Sequence, residues 1–293
     1  MVDISRSTTG NVLPASISND VWSKVSETSV VQSLARKIDV PGNGLTVPMI
    51  SGHAEASWVA ETDVKPISRP TLGSKNVQAY MIQVTVPFSN QFRRDNAALY
   101  GAIVDSLPGA IAKKFDQTVF GYAPAPGPNF DTLETSPESA IDPADPYDSY
   151  VDALALVGAN DADISAWVLS PAGEISALRA RNDGGDPLFT SGAAEGGAIG
   201  SILGRPVVRS KNVGDAATDT IGIAGDWAGS AVWGSVGSIT YAETDSATLP
   251  DASVPGGLLH LFSRNMFAVR FEVELAFRVR DVKDFVRLTQ ATP

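Results

Sequence analysis

The sequence predicts an α+β fold, and three stretches carry that prediction. Phe267, Val269, Phe271, Val273, Leu275, Phe277 and Val279 alternate with Ala268, Arg270, Glu272, Glu274, Ala276, Arg278 and Arg280. That strict period of two describes one long strand with a single buried face. Leu99, Ile103, Leu107, Ile111, Phe115 and Val119 recur every four residues, which describes a long amphipathic helix. Between them, helical and extended patterns alternate with glycine-rich turns, as in an α/β module.

Taken in order, residues 1 to about 45 open with a Ser/Thr-rich arm, expected to be mobile or docked elsewhere. A short helical pattern follows, with Val21, Val25, Val31, Leu34 and Ile38 on its apolar side. The chain reads as extended from Leu45 to Pro48 and again from Val77 to Phe88, where the alternation shifts near Met81. Between these strands lies "SWVAETDVKPISRPTLGSKN", residues 57–76, a long, polar, proline-broken excursion. A two-stranded excursion is marginal in water by itself, so this one needs a partner surface.

The long helix starts near Asp95 and carries Lys113 and Lys114 towards its end, where the dipole favours them. Pro108 predicts a kink, and Gly121 closes the helix. "APAPGPNFDTLETSPESAIDPADP", residues 123–146, is a loop by composition and marks a boundary. The α/β module beyond it predicts a helix at 147–157, a strand "AWVLS" at 166–170, and a helix capped by Ser170 with Pro171 at its first position. "LGRPVVRS" and "TIGIAGDWAG" continue it to about Thr244.

Composition excludes several function classes. The chain has 293 residues, 43% of them hydrophobic, enough for a substantial core. Its net charge of −11 and pI near 4.6 argue against sequence-specific DNA binding, which leaves a basic footprint. An enclosure that must not trap nucleic acid tolerates this charge. The absence of cysteine removes disulfides, thiolate nucleophiles and cysteine metal sites. There is no signal-peptide pattern at the N-terminus and no apolar run of about 18 residues, so neither secretion nor a membrane partner is expected.

The local motifs favour no cofactor, metal or catalytic residue. Asp142, Asp145, Asp148 and Asp152 lack the alternating ligands and central glycine of a calcium loop, and read as a loop entering a helix N-terminus. His53 and His260 have no matching acid spacing for zinc or general-base work. "GGAIGSILG", residues 196–204, lacks dinucleotide-fingerprint spacing, and "GSVG" around Ser235 is no nucleophile elbow. Asp226 in "AGD" could be a catalytic acid, but an Asp beside a Gly more commonly forms a turn. Arg93 and Arg94 oppose the dipole at the start of the long helix, a conflict that suggests contact with acids on an adjacent subunit.

The sequence resembles the major capsid proteins of tailed bacteriophages, of the Hong Kong 97 type. The likeness rests on the order of "ASWVAETDVKPISRPTLGSKNVQAYMIQVTVPFSNQFRRD" (56–95), "IAKKFDQTVFG" (111–121), "LGRPVVRS" with "IAGDW" (203–210 and 223–227), and "LFSRNMFAVRFEVELAFRVRDVKDFVRL" (261–288). The resemblance implies an N-terminal arm (1–44), an extended E-loop (45–88), a P-domain (89–146 and 245–280) and an α/β A-domain (147–244 and 281–293). Within the P-domain it implies a spine helix at about 96–120 and a long strand at about 266–280. It implies self-association as pentamers and hexamers into an icosahedral shell around double-stranded DNA, with only non-specific DNA contact. The virion capsid, made in the host bacterial cytoplasm, is the implied location. A short arm implies a separate scaffolding protein or an already processed chain; a portal and a decoration protein are further implied partners.

In this family the E-loop lies across a neighbouring subunit. Trp58 and Val59 are then expected to anchor it, with Glu61, Asp63, Lys65, Arg69 and Lys75 setting its register by charge. Pro66 and Pro70 keep it extended. Gly225 and Asp226 become a structural turn feeding a strand. Some relatives join subunits by a lysine–asparagine bond, for which Lys65, Lys75 and Asn265 are available. An encapsulin-like nanocompartment shell is the nearest alternative, and an acidic α/β enzyme acting on a small substrate a remote one.

Overall fold

The computed structural model describes residues 29–290 apart from 53, 96, 144, 182–188, 190–199, 215–217 and 254. The arm before Ser29, with Val21 and Val25, lies outside the described residues, as do His53 and residues 196–199 of the glycine-rich stretch.

A short helix α1 (Val30–Leu34) leads into strand β1 (Arg36–Asp39). Strands β2 (Leu45–Gly52) and β3 (Thr71–Val77) pair antiparallel as an isolated ribbon. Strand β4 (Tyr80–Ser89), helix α2 (Asn90–Asp95) and the long helix α3 (Ala97–Val119) follow. The next elements are β5 (Glu138–Ile141), α4 (Pro146–Gly158), β6 (Ala166–Leu169) and α5 (Pro171–Arg179). Then come β7 (Ser201–Ile202), β8 (Arg205–Arg209), β9 (Thr220–Gly225) and β10 (Ala231–Thr244). A small hairpin of β11 (Thr248–Pro250) and β12 (Leu258–His260) precedes β13 (Met266–Val279) and β14 (Phe285–Gln290).

Two larger sheets organise these elements. One has four strands in the order β1-β10-β13-β4; the other has six in the order β5-β14-β9-β6-β8-β7. All seven alternate residues from Phe267 to Val279 are buried, in a core shared with Leu107, Ile111, Phe115 and Val119 of α3. Phe115, Phe130 and Phe277 meet there edge-on or tilted, at centroid distances of 6.1–6.4 Å. Residues on both sides of Pro108 belong to one 23-residue helix. Its end is a Schellman closure, in which Tyr122 N–H donates to Gln117 O and Gly121 N–H to Thr118 O. Gly121 has φ +87°, and a Cβ there would lie 2.6 Å from Glu134 Cβ, so glycine is required twice over.

The central strands of the six-stranded sheet are buried on both faces. Ala166, Val168, Ile223 and Phe285 face the first core, whereas Trp167, Leu169, Ile221 and Val286 join Tyr150 and Val157 of α4 in a second. Continuous burial of β6 and β9 explains why their sequences do not alternate. Ser170 caps α5, accepting from Gly173 N–H at 3.1 Å, with Pro171 at the first helical position.

The sheets redraw the partition expected from sequence. Ala231–Thr244, expected in the α/β module, pairs with β13 throughout, with a bulge between Val236 and Thr240. Gly234 in β10 admits strand β1: a Cβ there would meet Val40 Cγ2 at 2.4 Å and Ile38 O at 2.8 Å. Ile38 accordingly lies in a strand parallel to β10 and not on a helix. Tyr80–Ser89, expected in the excursion, is a full edge strand along β13. Glu138–Ile141 pairs with β14 and so belongs to the six-stranded sheet. The excursion reduces to β2, β3 and the loop between them.

Candidate inter-subunit surface

The ribbon ends in a loop, residues 54–70, in which every residue is exposed. Trp58 is 105% exposed, Val64 93% and Ile67 82%. Only sparse contacts order this loop from within: Glu55 N–H donates to Ser68 Oγ at 2.7 Å and Asp63 N–H to Ala60 O at 3.2 Å. Glu61, Asp63, Lys65 and Arg69 enter no ion pair among the described residues. Fixing a backbone residue costs about 1–2 kcal/mol, and exposed apolar side chains offset none of it, so a fixed loop conformation calls for an outside surface.

The base of the ribbon is held differently. Lys75 Nζ donates to Val279 O at 2.8 Å and to Asp131 Oδ2 at 3.3 Å. Asp131 also accepts from Arg278 Nη1 at 2.7 Å and from Val279 N–H at 3.1 Å. Lys75, expected at an inter-subunit contact, has its ammonium on the end of β13 in its own chain, because β3 runs back past that strand. Val64, Ile67 and Leu72 were not singled out as contacts from sequence, although their signal, apolar residues inside a polar stretch, was present.

Arg93 is also engaged within the chain. Its Nη1 lies 2.5 Å from Glu243 Oε1 and its guanidinium 4.2 Å from the Phe267 ring centroid, so within the chain an acid of β10 faces it. The side chain of Arg94 lies outside the described residues. Gly225 and Asp226 form the turn by which the chain leaves the six-stranded sheet for the four-stranded one. Asp226 Oδ1 accepts from Gly229 N–H at 2.8 Å, Asp226 N–H donates to Asp284 O, and a Cβ on Gly225 would meet Phe285 Cδ1 at 2.4 Å. Below this turn Asp284, fully buried, accepts from Ser230 Oγ, Asn160 Nδ2 and Arg280 Nε.

A second buried acid joins three parts of the molecule. Asp116 of α3 accepts from Ser29 Oγ at 2.6 Å, from Val30 N–H at 3.2 Å and from Asn212 Nδ2 at 3.0 Å. Burial pushes its carboxyl above the ordinary aspartate value, and the hydrogen bonds from Ser29, Asn212 and the backbone pull the other way. Of the acidic cluster considered for calcium, Asp145 instead caps α4, accepting from Asp148 N–H. No group of three His, Asp or Glu side chains suited to a metal occurs among the described residues. His260 Nδ1 lies 2.9 Å from Thr248 Oγ1 across the small hairpin.

The phage capsid family matches residues 9–290 of this sequence. The chain belongs to that family. It is 31% identical over 288 residues to the "Probable major capsid protein gp17" of Mycobacterium phage L5, covering 92% of this chain and 86% of that one. The protein of the same description from Mycobacterium phage D29 is 29% identical over 280 residues, at 92% and 87% coverage. Among solved structures, a Gordonia phage Cozz chain superposes with a TM-score of 0.74 at 21% identity, covering 91% of this chain and 87% of its own. A Mycobacterium phage Adephagia chain gives 0.71 at 19%, with 90% and 91% covered. At these identities the structures establish the fold. Family membership makes the exposed loop intelligible, because a shell subunit meets copies of itself on several sides.

Proposed function

We propose that this protein is the major capsid protein of a tailed phage, assembling as pentamers and hexamers into an icosahedral shell around double-stranded DNA. The observation that carries this reading is the capsid-family match along almost the whole chain, residues 9–290. The ribbon and its loop fit the role of an E-loop, the four-stranded sheet with α3 that of a P-domain, and the six-stranded sheet with α4 and α5 that of an A-domain. Trp58, Val59, Glu61, Asp63, Lys65 and Arg69 then face a neighbouring subunit. Their exposure supports this, as does the absence of ion pairs at the four charged ones among the described residues.

A shell protein works through repeated interfaces, each of standard size or larger, about 1,600 Å². Its negative charge keeps packaged DNA from adhering to the wall. Scaffolding, portal and decoration proteins are partners this role calls for. Sedimentation of the purified chain, with and without a candidate scaffolding protein, followed by negative-stain imaging of the fastest species, tests the reading. Capsomers, shells or tubes are expected; a strict monomer at high concentration under both conditions overturns it.

A further inference from the structure

The chain passes between its two larger sheets along two adjacent crossings, residues 226–230 from β9 to β10 and residues 280–284 from β13 to β14. Backbone bonds tie these crossings to each other: Arg280 N–H donates to Ser230 O at 2.8 Å and Asp226 N–H to Asp284 O at 3.1 Å. The carboxylate of Asp284 closes the same joint from its side chain. Its Oδ2 accepts from Ser230 Oγ at 2.5 Å on one crossing and from Arg280 Nε at 3.0 Å on the other, with Arg280 Nη2 at 2.9 Å. Its Oδ1 accepts from Asn160 Nδ2 at 2.6 Å, just past the end of α4. On the core side Trp227 packs against Phe120 and Phe285, with ring centroids at 6.3 and 5.0 Å.

Asp284 is fully buried and Ser230 nearly so. A buried carboxylate is a poor source of stability, because the desolvation it costs largely cancels the attraction of its partners. An apolar cluster of the same volume would hold the sheets together at least as firmly. What the carboxylate adds is direction. Donors from three segments meet it in one geometry, and a change in the angle between the sheets would break those bonds together and leave the charge buried without partners. An apolar contact would slide instead.

We propose that Asp284 locks the angle between the two sheets and thereby sets the curvature, and so the diameter, of the particle. This rests on the shell reading, in which every subunit repeats the same angle and a small error accumulates around the closed surface. Asp284 is then a positioning residue for assembly, acting from the interior and touching no neighbour.

Asp284→Asn keeps the shape of the side chain and removes its charge. Ile202→Ala, a buried change in β7 at the far edge of the six-stranded sheet, controls for lost stability alone. By electron microscopy, particles of the unmodified chain and of Ile202→Ala are expected to share one narrow diameter distribution. Asp284→Asn is expected to lose that single diameter, giving a broad distribution or open sheets, while its unassembled form still unfolds in one cooperative transition. An unchanged narrow diameter for Asp284→Asn overturns the proposal, as does equal broadening in Ile202→Ala.

If Asp284→Asn does not fold, Ser230→Ala takes its place, removing one donor and keeping the Arg280 pair. It is expected to broaden the distribution as well, and a diameter as uniform as that of the unmodified chain overturns the lock. Hydrogen exchange on the unmodified chain reads the joint directly. The Asp226 and Arg280 amides are expected to exchange as slowly as those of β13, both before assembly and after it. Fast exchange at either one means that the crossings are not held together and overturns the lock whatever the particles look like. Failure of the unmodified chain to form particles overturns the shell reading, and the link to diameter with it, while the amides still report on the joint.

Discussion

Strand β13 and the loop 54–70 both carry large apolar side chains, yet these stand at opposite extremes of burial. Phe267, Val269, Phe271, Val273, Leu275, Phe277 and Val279 are all buried, whereas Trp58, Val64 and Ile67 are almost wholly exposed. The strand finds its partners in its own chain, β10 on one side and β4 on the other, with α3 above it. For the loop, no such surface is supplied. The same hydrophobic effect therefore stabilises the subunit in one place and drives association in the other.

The sharpest way to break this contrast is at Phe277. Its ring is buried against Phe115 and Phe130, so Phe277→Ala leaves a cavity where α3, β13 and the loop after α3 meet. The expected loss is about 3–5 kcal/mol of subunit stability, read by denaturant unfolding of the unassembled chain. A loss below about 1 kcal/mol would mean that the strand is not the structural centre it appears from its burial.

The difference between the two regions also governs what could be read from sequence. Period-two alternation in β13, the four-residue recurrence in α3 and the Ser170–Pro171 cap are local signals: β13 and α3 lie within a residue or two of their expected limits, and α5 starts at Pro171 as expected. The partnership of β1 and β10 was not legible, because it is non-local: Ile38 satisfies a helical spacing, and the close approach of β1 to Gly234 has no local signal. The same holds at the surface. The exposed loop was visible as a polar, proline-broken stretch, but the cis engagement of Lys75 with Asp131 and of Arg93 with Glu243 depends on chain segments 56 and 150 residues apart.

Asp116 tests the interior from its ionic side. Because burial raises its carboxyl above the unfolded value, the folded state favours the protonated form. Its contribution to stability is full below the unfolded aspartate value and is lost as pH rises through the folded one. Asp116→Asn does not titrate. The stability of the unmodified chain minus that of Asp116→Asn should therefore rise as pH falls from 7 towards 3, in parallel denaturant series on unassembled protein. The acidic charge of the rest of the chain affects both proteins alike and largely cancels in the difference. A flat difference would show that the hydrogen bonds from Ser29, Val30 and Asn212 cancel the effect of burial, and a difference that falls with pH would show that they outweigh it.

The smallest effect is expected where exposure is greatest. Trp58→Ala and Ile67→Ser remove side chains that contact almost nothing in the subunit, so each should shift the stability of the unassembled chain by no more than about 0.5 kcal/mol. Assembly should respond quite differently, since an aromatic anchor at an interface centre commonly contributes 2 kcal/mol or more on truncation. In a shell every subunit would lose that contact, so particle yield should fall steeply at a concentration where the unmodified chain assembles. Measuring unfolding and particle yield on the same preparations separates the two roles. A large loss of subunit stability at Trp58 would mean that the loop folds back on its own chain in solution, and that its exposure is a property of the extended ribbon alone.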